Sequence, residues 1–221
     1  MDRHIIRTAD GSQTIRIPAW EEHYHSTHGA LQESRHVFIR HGLHLFSDSE
    51  LRLLEAGFGT GLNALLTLLE APGRGLNVHY TGLEAFPLGP EEWQALEYGE
   101  LLGGASHNAL FEGLHQAPWG RPEPITESFT LRKVRRDILK FSESSAYHLI
   151  YFDAFGARVQ PELWTEGVFT RMYNALLPGG VLVTYAAKGS VRRAMQAVGF
   201  QVERLPGPPG KREMLRAVRV A

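Results

Sequence analysis

The chain has 221 residues, 43% of them hydrophobic, no cysteine and a formal net charge of −1. That is enough apolar material for one full core. Disulfides, thiolate nucleophiles and cysteine-held metals are excluded, and the near-neutral charge does not advertise a nucleic-acid surface. The first residues lack the apolar segment of a signal peptide and no apolar run is long enough to cross a bilayer, so a soluble, cytoplasmic protein is expected.

In chain order, Asp10-Gly11 between two β-like runs (residues 5–9 and 12–17) is a hairpin signal. His23, His25 and His28, with Glu21 and Glu22, raise a metal reading; the stretch has no clear periodicity, and the expectation is no metal. A helix follows over 30–40, with Leu31, Val37 and Phe38 as its apolar positions. Residues 1–48 thus form an extension ahead of a core at 49–221, the whole read as one domain.

The core opens on Leu53-Leu54-Glu55-Ala56-Gly57-Phe58-Gly59-Thr60-Gly61-Leu62-Asn63, a strand entering a glycine-dense turn and leaving as a helix over 60–70. Without Cβ atoms such a turn is tight and admits a ligand close to the backbone, and the helix points free amides at it. Residues 77–84 read as a second strand ending in Glu84, and Pro90 opens a helix. The stretch 99–127 is the least regular and is read as an insertion of short helices near the substrate edge. Strand three covers 128–136 with Asp137 at its tip, and strand four, 148–152, ends in Asp153-Ala154-Phe155. A helix over 161–176 is ended by Pro178-Gly179-Gly180; strand five is 181–185. A helix at 190–198 stops at Gly199, and 201–205 pairs with 214–220 across a Pro-Gly turn. The expected fold is α/β: a doubly wound, mostly parallel, seven-stranded sheet with an N-terminal hairpin and helix and an antiparallel C-terminal hairpin.

The glycine spacing identifies the ligand class. A dinucleotide fingerprint reads G-x-G-x-x-G, whereas Gly57, Gly59 and Gly61 give G-x-G-x-G preceded by Glu55, the pattern of S-adenosyl-L-methionine (SAM) methyltransferases. Glu55 then sits near a cationic ligand, Glu84 accepts from ribose hydroxyls, and Asp137 accepts from the adenine amino group. Each acid alone reads equally well as a helix cap. Their recurrence at successive strand tips, where open α/β sheets bind ligands, favours the cofactor. Three basic groups stand out: Arg132, Lys133, Arg135 and Arg136; Lys188, Arg192 and Arg193; and Lys211 and Arg212. Solvated faces are the commoner meaning of such runs.

Several of these segments together resemble one family: residues 55–63, 84–87, 153–155, Pro161-Glu162-Leu163-Trp164-Thr165 and Lys211-Arg212-Glu213-Met214-Leu215, with Glu33-Ser34-Arg35-His36-Val37-Phe38 upstream. It is the tRNA 5-aminomethyl-2-thiouridine methyltransferases, and the chain looks like their stand-alone form, expected to work without the FAD-dependent oxidase domain of bifunctional members. The resemblance implies SAM bound by Glu55, Gly57, Phe58, Gly59, Gly61, Asn63, Glu84, Asp137 and Asp153. It implies a tRNA substrate carrying 5-aminomethyl-(2-thio)uridine at the wobble position, and a separate enzyme supplying that aminomethyl group. Asp153 is the expected catalytic acceptor for the amine; Phe155, Tyr185, Lys188, Lys211 and Arg212 are expected at the substrate, and Tyr24 at the cofactor or RNA. A methyl- or aminopropyltransferase for a small amine would use the same acids. A nicotinamide oxidoreductase and a non-catalytic RNA-binding protein are the readings from other classes.

Overall fold

The computed structural model describes residues 2–220. Strands β1 (His4–Arg7), β2 (Gln13–Ile17) and β3 (Glu22–His23) form a small antiparallel sheet, the first two joined through the Asp10-Gly11 turn. Then follow α1 (Ala30–Ser34), β4 (Glu50–Ala56), α2 (Leu62–Glu70), β5 (Asn77–Glu84), α3 (Pro90–Gln94), α4 (Tyr98–Gly103) and α5 (Ala105–Gln116). The remainder is β6 (Pro122–Thr126), β7 (Phe129–Arg135), β8 (Tyr147–Phe152), α6 (Glu166–Ala175), β9 (Leu176–Thr184), α7 (Gly189–Ala197), β10 (Phe200–Pro206) and β11 (Glu213–Arg219).

The large sheet runs β10-β11-β9-β8-β4-β5-β7-β6, parallel from β9 to β7 and antiparallel at both edges. The seven expected strands are present, and β6 adds an eighth at the edge, in a stretch read as helical. Its Pro122 and Pro124 lack amide donors and suit an edge position. Successive residues of β4 face opposite sides: Leu51 and Leu53 join the core under α2 and α5, Leu54 and Ala56 the core under α6 and α7. Strand β8 repeats this with Leu149 and Tyr151 against Ile150 and Phe152, the two-sided burial expected of central parallel strands. Because the chain steps from β4 outward to β5 and β7, then back to β8 and β9, the strand order reverses at β4, where ligands bind in such sheets.

Three local expectations are corrected. The helix expected over 30–40 is α-helical only to Ser34 and continues as a π-helical stretch, Arg35–Arg40, which buries three consecutive residues, Val37, Phe38 and Ile39. A regular α-helical stripe buries fewer neighbours. The helix expected over 161–176 is a 3-10 turn, Pro161–Trp164, then α6, because Thr165 is extended. Pro178-Gly179-Gly180 does not precede strand five but bulges within β9, where the register against β8 jumps from Leu176 to Val181.

Candidate active site

Three turns meet at the carboxyl ends of β4, β5 and β8. Gly57, at φ +100°, approaches Asp153 so closely that a Cβ would stand 2.5 Å from the Asp153 carbonyl oxygen. The amides of Gly57 and Phe58 donate to the Leu83 carbonyl at 3.1 and 2.8 Å, and that of Gly59 to Glu84 Oε2 at 2.9 Å. The β4 turn is therefore tied to the tip of β5. Asn63, on the first turn of α2, is buried and donates from Nδ2 to both Glu55 Oε1 (2.9 Å) and Asp153 Oδ2 (2.8 Å). Its Oδ1 is buried without a partner among the described residues. Tyr80 donates its hydroxyl to Glu55 Oε2 at 2.8 Å. Burial, then the Asp153 charge, holds Glu55 well above the ordinary carboxylate range. Burial, then the Glu33 charge, pushes Asp153 up to about 7, against the opposing Asn63 hydrogen bond and Lys211 charge.

The opposite wall is built by the N-terminal sheet. Arg3, Trp20, His23, Tyr24 and His25 line the cleft together with Phe155, Gln160 and Tyr185. The Phe155 ring is met edge-on by Trp20 (centroids 5.4 Å apart) and Tyr24 (4.9 Å), a favourable aromatic geometry. Trp164 Nε1 donates to the Phe155 carbonyl at 2.7 Å, and the Tyr185 hydroxyl to that of Ala154 at 2.8 Å. Arg158 fastens the wall by donating to the Trp20 and Glu21 carbonyls at 2.9 and 3.0 Å. Arg3 reaches the other rim, donating to the Phe86 carbonyl at 2.8 Å and pairing with Glu92 at 3.1 Å. His25 is buried and its imidazole is pushed down to about 4 by that burial, so it is neutral at physiological pH. Among the described residues, no three His, Cys, Asp or Glu side chains gather as a metal site.

Of the residues expected to bind, Gly57, Phe58, Gly59, Asn63, Glu84, Asp137, Asp153, Phe155 and Tyr185 line this cleft, with Tyr24 beside them. Glu55, Gly61, Lys188, Lys211 and Arg212 do not. Glu55 lies beneath the floor with both carboxylate oxygens engaged, and reaches the cleft only through Asn63. Gly61 is required by the protein: a Cβ there would lie 2.9 Å from His115 Nε2, which hydrogen-bonds the Thr60 carbonyl at 3.0 Å. Lys188 is exposed at the N-terminus of α7. Lys211 is drawn inward onto Glu33 and the Tyr185 ring, and Arg212 stays exposed beside it. Asp137 both lines the cleft and caps the following turn, accepting from Leu139 N–H at 2.8 Å.

The basic run near residue 132 is also sorted by the fold. Arg132 pairs with Glu143 at 2.7 Å, and Lys133 is buried over the Trp119 ring and donates to the His115 carbonyl; Arg135 and Arg136 remain exposed. No residue of 99–127 lines the cleft. His115 places α5 behind the glycine turn, away from the substrate edge where that stretch was expected. Arg3, Trp20 and the buried Glu33 were not singled out for a role in the sequence, because their positions depend on how the N-terminal sheet folds back.

The lining suits a cationic, hydroxyl-bearing ligand with an apolar ring. Glu84, Asp137, Asp153 and the unpartnered Asn63 Oδ1 supply acceptors; Phe58, Leu83, Ile138 and Leu139 supply apolar walls. A family model described as S-adenosyl-L-methionine-dependent methyltransferase matches residues 122–220. The tRNA 5-methylaminomethyl-2-thiouridine biosynthesis bifunctional protein MnmC of Ectopseudomonas mendocina is 31% identical over 226 residues, covering 89% of this chain and 34% of that protein. MnmC of Magnetococcus marinus is 30% identical over 235 residues, covering 96% and 34%. The chain thus spans about a third of the length of the curated relatives it matches. MnmC2 from Aquifex aeolicus superposes with a TM-score of 0.77 at 27% identity, over 100% of this chain and 71% of that one. Spermidine synthase from Thermotoga maritima (TM-score 0.54, 13% identity, 97% and 72% covered) shares the fold alone. With the acceptor-rich cleft at the strand reversal, these likenesses place the chain in the MnmC-related family of SAM-dependent methyltransferases.

Proposed function

We propose that the chain is an N-methyltransferase that converts 5-aminomethyl-(2-thio)uridine into 5-methylaminomethyl-(2-thio)uridine at the wobble position of tRNA. The observation that carries this reading is Asp153, a carboxyl with raised proton affinity beside the glycine turn, adjoining the aromatic wall of Trp20, Tyr24, Phe155 and Tyr185. SAM, when bound, supplies a methyl group already activated on its sulfonium. The side chains then have to align and deprotonate an amine. A free alkyl amine resembles lysine, with a pKa of ~10, and its protonated form has no lone pair to offer. Asp153 accepts the ammonium proton at Oδ1 while Asn63 Nδ2 holds Oδ2. Phe155 and Trp20 flank the uracil plane. Gly57, Phe58, Gly59, Asn63, Glu84 and Asp137 hold the cofactor, and Lys188 and Arg212 meet the RNA from outside the cleft. In this reading residues 1–48 are an extension that walls a core at 49–221, the chain works in the cytoplasm, and another enzyme delivers the aminomethyl substrate. The names of the MnmC relatives support the substrate class.

The test is radiolabelled SAM with bulk tRNA from a strain lacking this protein, followed by nucleoside analysis. Label in 5-methylaminomethyl-(2-thio)uridine is expected. Turnover of a free small amine without tRNA would replace this reading by the small-amine transferase.

A further inference from the structure

Glu33 is 5% exposed, on α1, outside the set of cleft-lining residues. Its Oε2 accepts the Ser26 amide at 2.8 Å, and its Oε1 takes the ammonium of Lys211. Lys211 in turn lies with Nζ 3.9 Å from the centre of the Tyr185 ring, and Tyr185 is bonded to the Ala154 carbonyl, one residue from Asp153. Two elements far apart in sequence, α1 and the β10–β11 turn, therefore meet behind the amine end of the cleft. A buried ion pair contributes little to stability by itself, since desolvation offsets its attraction. Its place behind the carboxylate proposed to take the amine proton calls for another explanation.

We propose that Glu33 and Lys211 are positioning residues: the pair fixes Lys211 over Tyr185 and sets the charge that surrounds Asp153. The proposal rests on Asp153 accepting the amine proton. The groups facing Asp153 are Glu33 from α1, Lys211 from the β10–β11 turn, Glu55 from β4 through Asn63, and Tyr185 after β9, with His25 neutral nearby. Glu33 opposes the charged aspartate and Lys211 favours it, while Glu55, held well above the ordinary carboxylate range, stays protonated. Glu33 strengthens Asp153 as a proton acceptor, and Lys211 keeps part of it ionised and ready.

The test is the titration of Asp153 in the full chain without cofactor or RNA, followed by carbon-13 NMR of labelled aspartate and assigned by the Asp153→Asn variant. Glu33→Gln should move the Asp153 midpoint to lower pH. Lys211→Met, which keeps the aliphatic stem on Tyr185, should move it to higher pH. A pair that only braces the fold would loosen the site in both variants, admit water and lower both midpoints, and that result, or two unmoved midpoints, overturns the proposal. If Glu33→Gln alone does not fold, the double variant Glu33→Gln/Lys211→Met removes both charges, and its midpoint must fall below that of Lys211→Met. Because no turnover is needed, opposite shifts with no methylation of tRNA would overturn the proposed activity and leave the pairing standing.

Discussion

Replacing Asp153 by Asn should make the protein more stable at alkaline pH while abolishing methyl transfer. The folded state holds this carboxyl at about 7 instead of its ordinary 3.8. A rise of that size corresponds to ~4 kcal/mol, and to about 2–4 kcal/mol once the water reaching the cleft is allowed for. The sign follows from linkage. Between those two values the folded protein binds the proton and the unfolded chain does not, so stability falls as pH rises through that window. Below pH 3.8 both states are protonated and the group costs nothing; above about 7 the whole cost is present. Asn carries no charge, so the variant lacks this slope, and its carbonyl oxygen still accepts from Asn63. Urea unfolding without cofactor, at intervals from pH 4.5 to pH 8.5 or so, reads the difference directly. The variant should gain on the wild type steadily up to about pH 7 and then hold a constant advantage. A difference independent of pH, or a variant that loses ground as pH rises, would show that Asp153 is not a carboxyl strained by burial.

The same group should govern turnover: kcat/KM for methylation falls as pH drops below about 7, and the loss of that limb to a flat profile would remove Asp153 from the proton transfer. Gly57→Ala forces a Cβ to within 2.5 Å of the Asp153 carbonyl at φ +100°, so calorimetry should find SAM binding lost or at least ~10-fold weaker. Arg212→Ala should reduce the salt slope of tRNA binding by about 0.7–0.9, the change for one phosphate contact. Lys211→Met should leave that slope intact, since its ammonium is engaged by Glu33. Methyl transfer should persist in excess chelator, because no step assigned to the side chains requires a metal; loss restored by a divalent ion would reopen the histidine cluster.

Much of the architecture was legible from local chemistry. The G-x-G-x-G turn needs positive φ at Gly57, Gly59 and Gly61, which glycine alone adopts freely, so the first strand–turn–helix was plain from its letters. Strand tips at Glu84, Asp137 and Asp153 followed from apolar runs that stop at an acid. The edge strand β6 was missed because its two prolines argue against a strand and the stretch was read as short helices, and the π-helical stretch because its apolar positions fit an ordinary helix equally well. Glu55 illustrates a subtler failure. Its place before the glycines pointed to the ligand, yet a strand side chain at that position turns under the floor, where Tyr80 and Asn63 occupy it.

By itself the sequence determined the turn chemistry, the two-sided burial of the central strands and the order of acids along the sheet rim, all properties of neighbours within a few residues. The tertiary structure decided which charges are free. Lys211, Arg132 and Lys133 read as a basic surface in one dimension, but each is drawn inward, onto Glu33, Glu143 and the Trp119 ring respectively. Pairing of that kind joins residues from 11 to 178 positions apart. It depends on electrostatics and burial at a few ångströms, distances that only the folded chain defines.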